Sequence, residues 1–573
     1  MPTSTRFATL LSVAALVGGG LSTGCNPTRA MPGGHTDSGT HHMGSDVGVV
    51  SGCTSMADSD HNGIADSIED PANPDDDGDT ITDMVENMGA ANPCAPSDCD
   101  HDSIPNFHDT DSDNDGVPDE QEATLGTDQC NPDSDGDGVT DLVEVAAGTD
   151  PRSSTSMPPP GTLYVTIPYN PPGTMGTHPH RQFDFSTRIQ IADVFILVDN
   201  SASMGPVIAA LAAAFSGTIV PGIRMQIPDV RIGVGSFDSL PAGPDGSPGD
   251  YTLWVRQRLD ADATLSQTAF NNMHTIDTDT HNADFGGDYP EDHVEALFES
   301  IDGAGMVGHE TDEAARATVH NGLTGDGYVP TMDPARDCGV APDGPRPYGW
   351  ACFNEGRVPI LVLASDASWY NGPAPGSPSD GAQHSYGSLL ATMQARGAFY
   401  IGVDIGDAGD TFRNSQLLAT DSGTVDGAGA PVAFHPGSAG ISGSLGNDIV
   451  AAVTTVAGET VQDITTRTDP DRTETRLPAS HTTADFIRAV TPDHGVPDMP
   501  TGYTSKDATT FYHVNPATVV WFDVDFYNDF QMPTATAQLF RATIQVLGRA
   551  GSIVDHKDVY MIIPPTGGTI GPM

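Results

Sequence analysis

Residues 194–205 read VFILVDNSASMG: five apolar residues, Val194 to Val198, run straight into Asp199-Asn200-Ser201-Ala202-Ser203 and then Met204-Gly205. A short continuous apolar run that ends in polar turn residues is a strand buried on both faces, as in a parallel sheet covered by helices. The stretch after it, as far as Phe215, has a helical pattern. Three more apolar runs follow, Val230 to Val234, Val358 to Ala364 and Ala398 to Val403, with helix-like stretches between them. The spacing predicts an α/β domain over residues 191–460 with a central, mostly parallel sheet.

Such a sheet binds ligands outside the carboxyl ends of its strands, where alternate residues of a turn can point three oxygens at one place. Asp199, Ser201 and Ser203 are so placed, and two other elements bring oxygens to similar positions. Gly286-Gly287-Asp288-Tyr289-Pro290-Glu291 precedes a helix-like Asp292 to Ser300, and the strand Val358 to Ala364 ends in Ser365-Asp366-Ala367. An all-oxygen set of this kind suits Mg²⁺, Mn²⁺ or Ca²⁺ and not zinc.

Together these three elements resemble the metal-ion-dependent adhesion site of the von Willebrand factor A (vWA) family. The resemblance implies a Rossmann-like vWA domain in which Asp199, Ser201, Ser203 and Asp366 hold Mg²⁺ or Mn²⁺. It also implies one coordination position left open for an acidic group on a protein or other partner. The family's usual loop threonine is absent, and the Asp-x-Pro-Glu pattern is similar instead to integrin β subunits. That likeness makes Glu291 the matching ligand, with Asp288 the second choice. Before Asp366 lies a Gly-, Pro- and Asp-rich insertion, from about Gly303 to Gly356, that either shapes the ligand surface or is a plain decorated loop.

Upstream, residues 58–150 contain 28 Asp or Glu and no Lys or Arg, so internal ion pairs cannot compact them. The acids are phased. A twelve-residue calcium loop supplies oxygens from positions 1, 3, 5, 7, 9 and 12 around a sharp turn at position 6. One set is Asp58, Asp60, Asn62, Asp66 and Glu69, with Gly63 at the turn and the Ile64 carbonyl at position 7. Asp111, Asp113, Asp115, Asp119 and Glu122 repeat it with Gly116 and Val117, as do Asp133, Asp135, Asp137, Asp141 and Glu144 with Gly138 and Val139. Asp75, Asp77, Asp79, Asp83 and Glu86 keep the carboxylates but carry Thr80 where Gly is expected. Asp98, Asp100, Asp102, Asn106 and Asp109 form the remaining set and run directly into the next. The region resembles thrombospondin type 3 repeats, which implies Ca²⁺-dependent folding. Extracellular loops of this kind bind Ca²⁺ at about 10⁻⁴ to 10⁻³ M, so the reading is a stiffening stalk and not a sensor.

Past the α/β domain the period changes. Val520, Phe522, Val524 and Phe526 alternate with Trp521, Asp523 and Asp525, and Phe540, Ala542, Ile544 and Val546 alternate with Arg541, Thr543 and Gln545. Half-buried strands without helices between them predict an all-β sandwich over residues 461–573. Leu163, Val165 and Ile167 alternate likewise, so residues 151–190 read as a linker plus a possible first strand of that sandwich. If that strand pairs with the late ones, the α/β domain is an insertion in the sandwich.

At the start, Arg6 precedes an apolar run from Ala8 to Val17, too short to span a membrane, and then Ser22-Thr23-Gly24-Cys25. This resembles a bacterial lipobox, which implies a signal peptide over residues 1–24, lipidation of Cys25 and, with Asn26 next, the outer membrane. Ordinary signal-peptide cleavage is the alternative. Residues 25–57 are Gly-, Ser-, Thr- and His-rich and read as a flexible tether. The remaining six cysteines are an even number for an oxidising compartment. Cys338 and Cys352 bracket one Gly/Pro-rich stretch and are expected to pair; among Cys53, Cys94, Cys99 and Cys130 the sequence does not choose.

The net charge of −55, from 78 acidic against 23 basic residues, excludes nucleic acid and leaves a lipid anchor as the only expected tie to a membrane. No G-x-S-x-G, H-E-x-x-H or P-loop pattern is present. The expectation is therefore a non-enzymatic, metal-dependent ligand-binding or adhesion protein of the cell envelope. A structural protein docking one fixed envelope partner is the alternative, and a metal-dependent hydrolase a minor one.

Overall fold

The computed structural model describes residues 52–159, 162–173, 176, 178–240, 250–276, 291–308, 328–339, 346–375, 383–406, 409–436, 444–516 and 518–568. Cys25, residues 26–51 of the tether and Asp288 lie outside these residues; the last residues of the tether, 52–57, are described, and there the free-tether reading does not hold, because Cys53 is tied by a disulfide to Cys94. In chain order the strands are β1 (Leu163–Thr166), β2 (His180–Ser186), β3 (Ile191–Asp199), β4 (Asp229–Phe237), β5 (Trp254–Asp260), β6 (Pro347–Tyr348), β7 (Phe353–Asn354), β8 (Val358–Ser365) and β9 (Phe399–Asp404). They continue with β10 (Ala433–Phe434), β11 (Gln462–Pro470), β12 (Ile487–Val496), β13 (Ser505–Lys506), β14 (Thr510–Val514), β15 (Val519–Phe526), β16 (Gln538–Leu547) and β17 (Ile553–Ile563).

The apolar runs form one six-stranded sheet in the order β10-β9-β8-β3-β4-β5, parallel except for β5 at its edge. All nine residues of β3 are buried. Val194, Ile196 and Val198 face one core, where Val207, Leu211, Phe215, Phe270 and Val453 pack from helices. Phe195 and Leu197 face the other, against Val294 and Leu297 of helix His293–Ile301, Leu389, Met393 and Leu418. Burial on both faces is why β3 shows no alternation, and each large side chain contributes roughly 1.5–3 kcal/mol. The run Gly205–Gln226 is apolar and long enough by composition to cross a membrane, yet Val207, Leu211, Phe215, Ile219 and Ile223 are buried in the first core.

At the opposite end from the strands' carboxyl termini, buried Asp193 is clamped by Arg231 at 2.5 Å and Arg357 at 2.6 Å. It also accepts a hydrogen bond from the Asn354 amide at 3.0 Å. The described parts of the insertion before β8 are not mere decoration: Trp350 and Phe353 are fully buried in the second core beside the β6–β7 hairpin.

The late strands form a sheet β1-β17-β16-β11-β14-β13 and a smaller one β12-β15-β2. Phe185 and Phe511 meet Phe522 edge-on between the two, at ring distances of 6.0 and 5.3 Å. Two strands from before the α/β segment take part, not one. β1 runs parallel to β17, with Leu163 opposite Val559, and β2 runs antiparallel to β15, with Phe185 opposite Val520. Only Phe183 and Phe185 of β2 point inward among polar neighbours, so its alternation is too short to register as a strand in the sequence. Three disulfides join Cys53 to Cys94, Cys99 to Cys130 and Cys338 to Cys352.

Candidate metal centres

The five acidic loops share one hydrogen-bond wiring. The position-5 side chain accepts from the position-7 amide in each: Ile64 to Asn62 at 2.9 Å, Ile81 to Asp79 at 2.8 Å, Ile104 to Asp102 at 2.7 Å, Val117 to Asp115 at 2.7 Å and Val139 to Asp137 at 2.9 Å. The position-9 side chain accepts from the position-2 amide, as Asp66 does from Ser59, Asp83 from Asp76, Asn106 from Cys99, Asp119 from Ser112 and Asp141 from Ser134. Positions 4 and 6 both have positive φ in every loop. At position 6 that holds for Thr80 (+83°) and Ser103 (+81°) as well as for Gly63, Gly116 and Gly138, so the missing glycine leaves the loop path unchanged.

These bonds leave carboxylate oxygens pointing inward. Both side-chain oxygens of Glu86, Glu122 and Glu144, the position-12 residues, are buried without a hydrogen bond, as is one oxygen each of Glu69, Asp77, Asp79, Asp83, Asp113, Asp135, Asp137 and Asp141. Burial, and then the neighbouring carboxylates, push Glu86 up to about 9 and Glu122 up to about 10. Unpaired buried carboxylates at these positions are costly alone and are what a six- to eight-coordinate hard cation requires. The loop from Asp98 to Asp109 is the most open: its position-7 Ile104 is 46% exposed where Val117 is fully buried.

The last two loops also dock on the sandwich. Val117 at position 7 of one loop and Leu142 of the next pack against Ile562 of β17. Thr110 Oγ1 donates to the Gly567 carbonyl at 3.2 Å.

At the carboxyl end of the parallel sheet, Asp199 is fully buried and accepts from the Ser201 amide at 2.8 Å and from Ser365 Oγ at 2.7 Å. Ser201 Oγ lies 3.1 Å from Ser203 Oγ, which donates to Asp366 Oδ1 at 3.0 Å. Thus Asp199, Ser201, Ser203 and Asp366, spread over more than 160 positions of sequence, converge on one point. Glu291 is held by a bridge to the segment after β8, its amide donating to Ser368 at 2.8 Å, and its Oε2 accepts from Ser239 Oγ at 2.9 Å. Beneath it His293 spans the Glu291 carbonyl and Ser365 Oγ at 2.9 and 2.8 Å; burial lowers this imidazole to about 3, keeping it neutral.

Sequence reasoning missed Asp238, which follows β4. It is fully buried with neither carboxylate oxygen hydrogen-bonded. Burial and then Asp250 hold it well above the usual range; burial, then Asp199 and Asp238, push Glu291 up to about 11. Burial also raises Asp199 to about 6, with Asp366 adding to it. Among the described residues no Lys or Arg pairs with Asp199, Asp238, Glu291 or Asp366, so the orphaned oxygens fit a divalent cation. A signal was available: Asp199, Asp238, Asp366 and Asp404 all stand at carboxyl ends of neighbouring apolar strands.

A family model described as the bacterial TSP3 repeat matches residues 111–128 and 133–152. These residues therefore carry repeats of a calcium-binding type. Comparison with curated proteins finds no match. Among solved structures, the chain is similar to the pilus adhesin SpaC from Lactobacillus rhamnosus GG in an open conformation, at 12% identity and a TM-score of 0.25, over 69% of this chain and 48% of that one. It is also similar to the human COPII-coat protein Sec24c, at 8% identity and a TM-score of 0.26, over 67% and 46%. The chain thus spans under half the length of either structure.

Proposed function

We propose that this protein captures an acidic group of a protein or other ligand through a Mg²⁺ or Mn²⁺ ion at the carboxyl end of its parallel sheet, displayed on a calcium-stiffened stalk. The observation that carries the reading is the convergence of Ser201, Ser203 and Asp366 above buried Asp199. In this reading the α/β unit is a vWA domain. Asp199, Ser201, Ser203 and Asp366 hold the ion, and buried Glu291 contributes from the side of helix His293–Ile301. Asp288 keeps its place as second choice. Ser203 is exposed, which supports a coordination position facing solvent.

We read the role as binding: both nitrogens of His293, the imidazole beneath the site, are engaged, and burial lowers it to about 3, far below the range of a general base working near neutral pH. A cell-envelope location is supported by the TSP3 repeats and by three disulfides. The lipobox-like Ser22 to Cys25 adds an anchor to that reading.

Calorimetric titration of the full chain with Mn²⁺, in excess Ca²⁺ to fill the loops, tests this. The native protein is expected to bind one Mn²⁺ that the Ser201→Ala/Asp366→Ala variant does not. Equal uptake by both removes the site from the sheet end.

A further inference from the structure

Helix His293–Ile301 carries two glutamates that the sheet-end site does not use. Glu295 and Glu299 lie one helical turn apart and are fully buried. From another element, the residue before the N-cap of helix Tyr386–Arg396, the His384 ring reaches both. Its Nδ1 is 2.5 Å from Glu295 Oε1 and 3.7 Å from Glu299 Oε1. One ligand atom from each of the three residues lies within 4.8 Å of the others.

We propose that Glu295, Glu299 and His384 form a structural site for a zinc-class divalent cation, separate from the oxygen-only sites above. Charge supports it first. Among the described residues His384 is the one cationic group within ion-pair distance of either glutamate, so two buried carboxylates face at most one positive charge. Neutral imidazole, two carboxylates and one divalent ion sum to zero.

Orientation supports it next. The Gly305 amide donates to both oxygens of Glu299 at 3.1 Å, and the His384 amide donates to Glu295 Oε2 at 2.9 Å. Phe298 stacks on the imidazole at 3.8 Å. Such outer contacts fix ligands before a metal arrives. A tetrahedral ion with bonds of about 2.0–2.2 Å holds its ligand atoms roughly 3.4 Å apart. Binding therefore opens the Glu295–His384 contact by about 1 Å and draws Glu299 slightly closer. The imidazole nitrogen selects zinc-like ions over Ca²⁺ and Mg²⁺, which take oxygen.

The test is zinc titration of the full chain in excess Ca²⁺ and Mg²⁺ against a competing chromophoric chelator, with Co²⁺ replacing zinc for visible spectra. The wild type is expected to take up one tightly held ion and to show the intense bands of four-coordinate Co²⁺. Glu299→Gln and His384→Asn lose the bands and bind at least about tenfold more weakly, while Ser201→Ala/Asp366→Ala keeps both properties. In the wild type, zinc also protects His384 from diethyl pyrocarbonate, a readout independent of variant folding. No zinc uptake, no protection of His384, or identical uptake and spectra in well-folded Glu299→Gln and His384→Asn overturns the site.

Discussion

Glu122→Gln should change sign with calcium. Glu122 is 1% exposed, and neither of its side-chain oxygens has a hydrogen-bond partner. In the calcium state it stands at position 12, which gives both oxygens and a full charge to the ion. For an affinity of ~10⁻⁴ to 10⁻³ M, ~10 mM Ca²⁺ stabilises the folded loop by ~1.4–2.7 kcal/mol. The amide keeps one oxygen and no charge, and a ~100-fold loss of affinity removes most of that, ~1–2.5 kcal/mol. In chelator the effect reverses. The folded value of Glu122, about 10, lies above the unfolded value of 4.5, so folding takes up a proton. Stability from that proton is complete below pH 4.5 and is lost as pH rises towards 10. The amide needs no proton, so the variant exceeds the wild type in chelator, by a margin that grows from pH 5 to pH 8. Calorimetric unfolding of both proteins in calcium and in chelator, at those two pH values, reads the crossing, and hydrogen exchange at the Val117 amide localises it. Equal destabilisation in all four conditions refutes the argument and makes Glu122 a packing residue.

Leu142→Ala should cost ~2–5 kcal/mol and raise hydrogen exchange in β17 around Ile562, because Leu142, 1% exposed, fills the contact between the last loops and the sandwich. Thr80→Gly should stabilise its loop by ~1 kcal/mol at φ +83°, and Gly138→Ala at φ +95° should cost ~1–2 kcal/mol, both read by urea unfolding in calcium. Asp193→Ala should cost ~3–5 kcal/mol in the same assay, since it leaves Arg231 and Arg357 largely buried without their shared carboxylate.

The parts of the site legible in the sequence are those written within a dozen residues. Alternating acids around a turn define each loop because ligand positions in a calcium loop are set by chain spacing, and the wiring from Asp58 to Glu144 follows that phase. The buried run ending at Asp199 predicts its own strand because both faces of β3 are covered. Asp238 escaped notice because one aspartate after a strand carries no periodic signal, and β2 because two phenylalanines are too few to show alternation.

The amino-acid sequence by itself determined the local geometry of its most strongly patterned segments: the buried run of β3, the alternation of β15 and β16, and which carboxylates can share an ion within one loop. Only the tertiary structure decided that β1 and β2 pair with β17 and β15 across the α/β segment, that Cys53 joins Cys94, and that His384 meets Glu295 and Glu299. The physical reason is range. Dihedral preferences and side-chain period act over a few residues, whereas these meetings are fixed by which surfaces must be buried together once every element has formed.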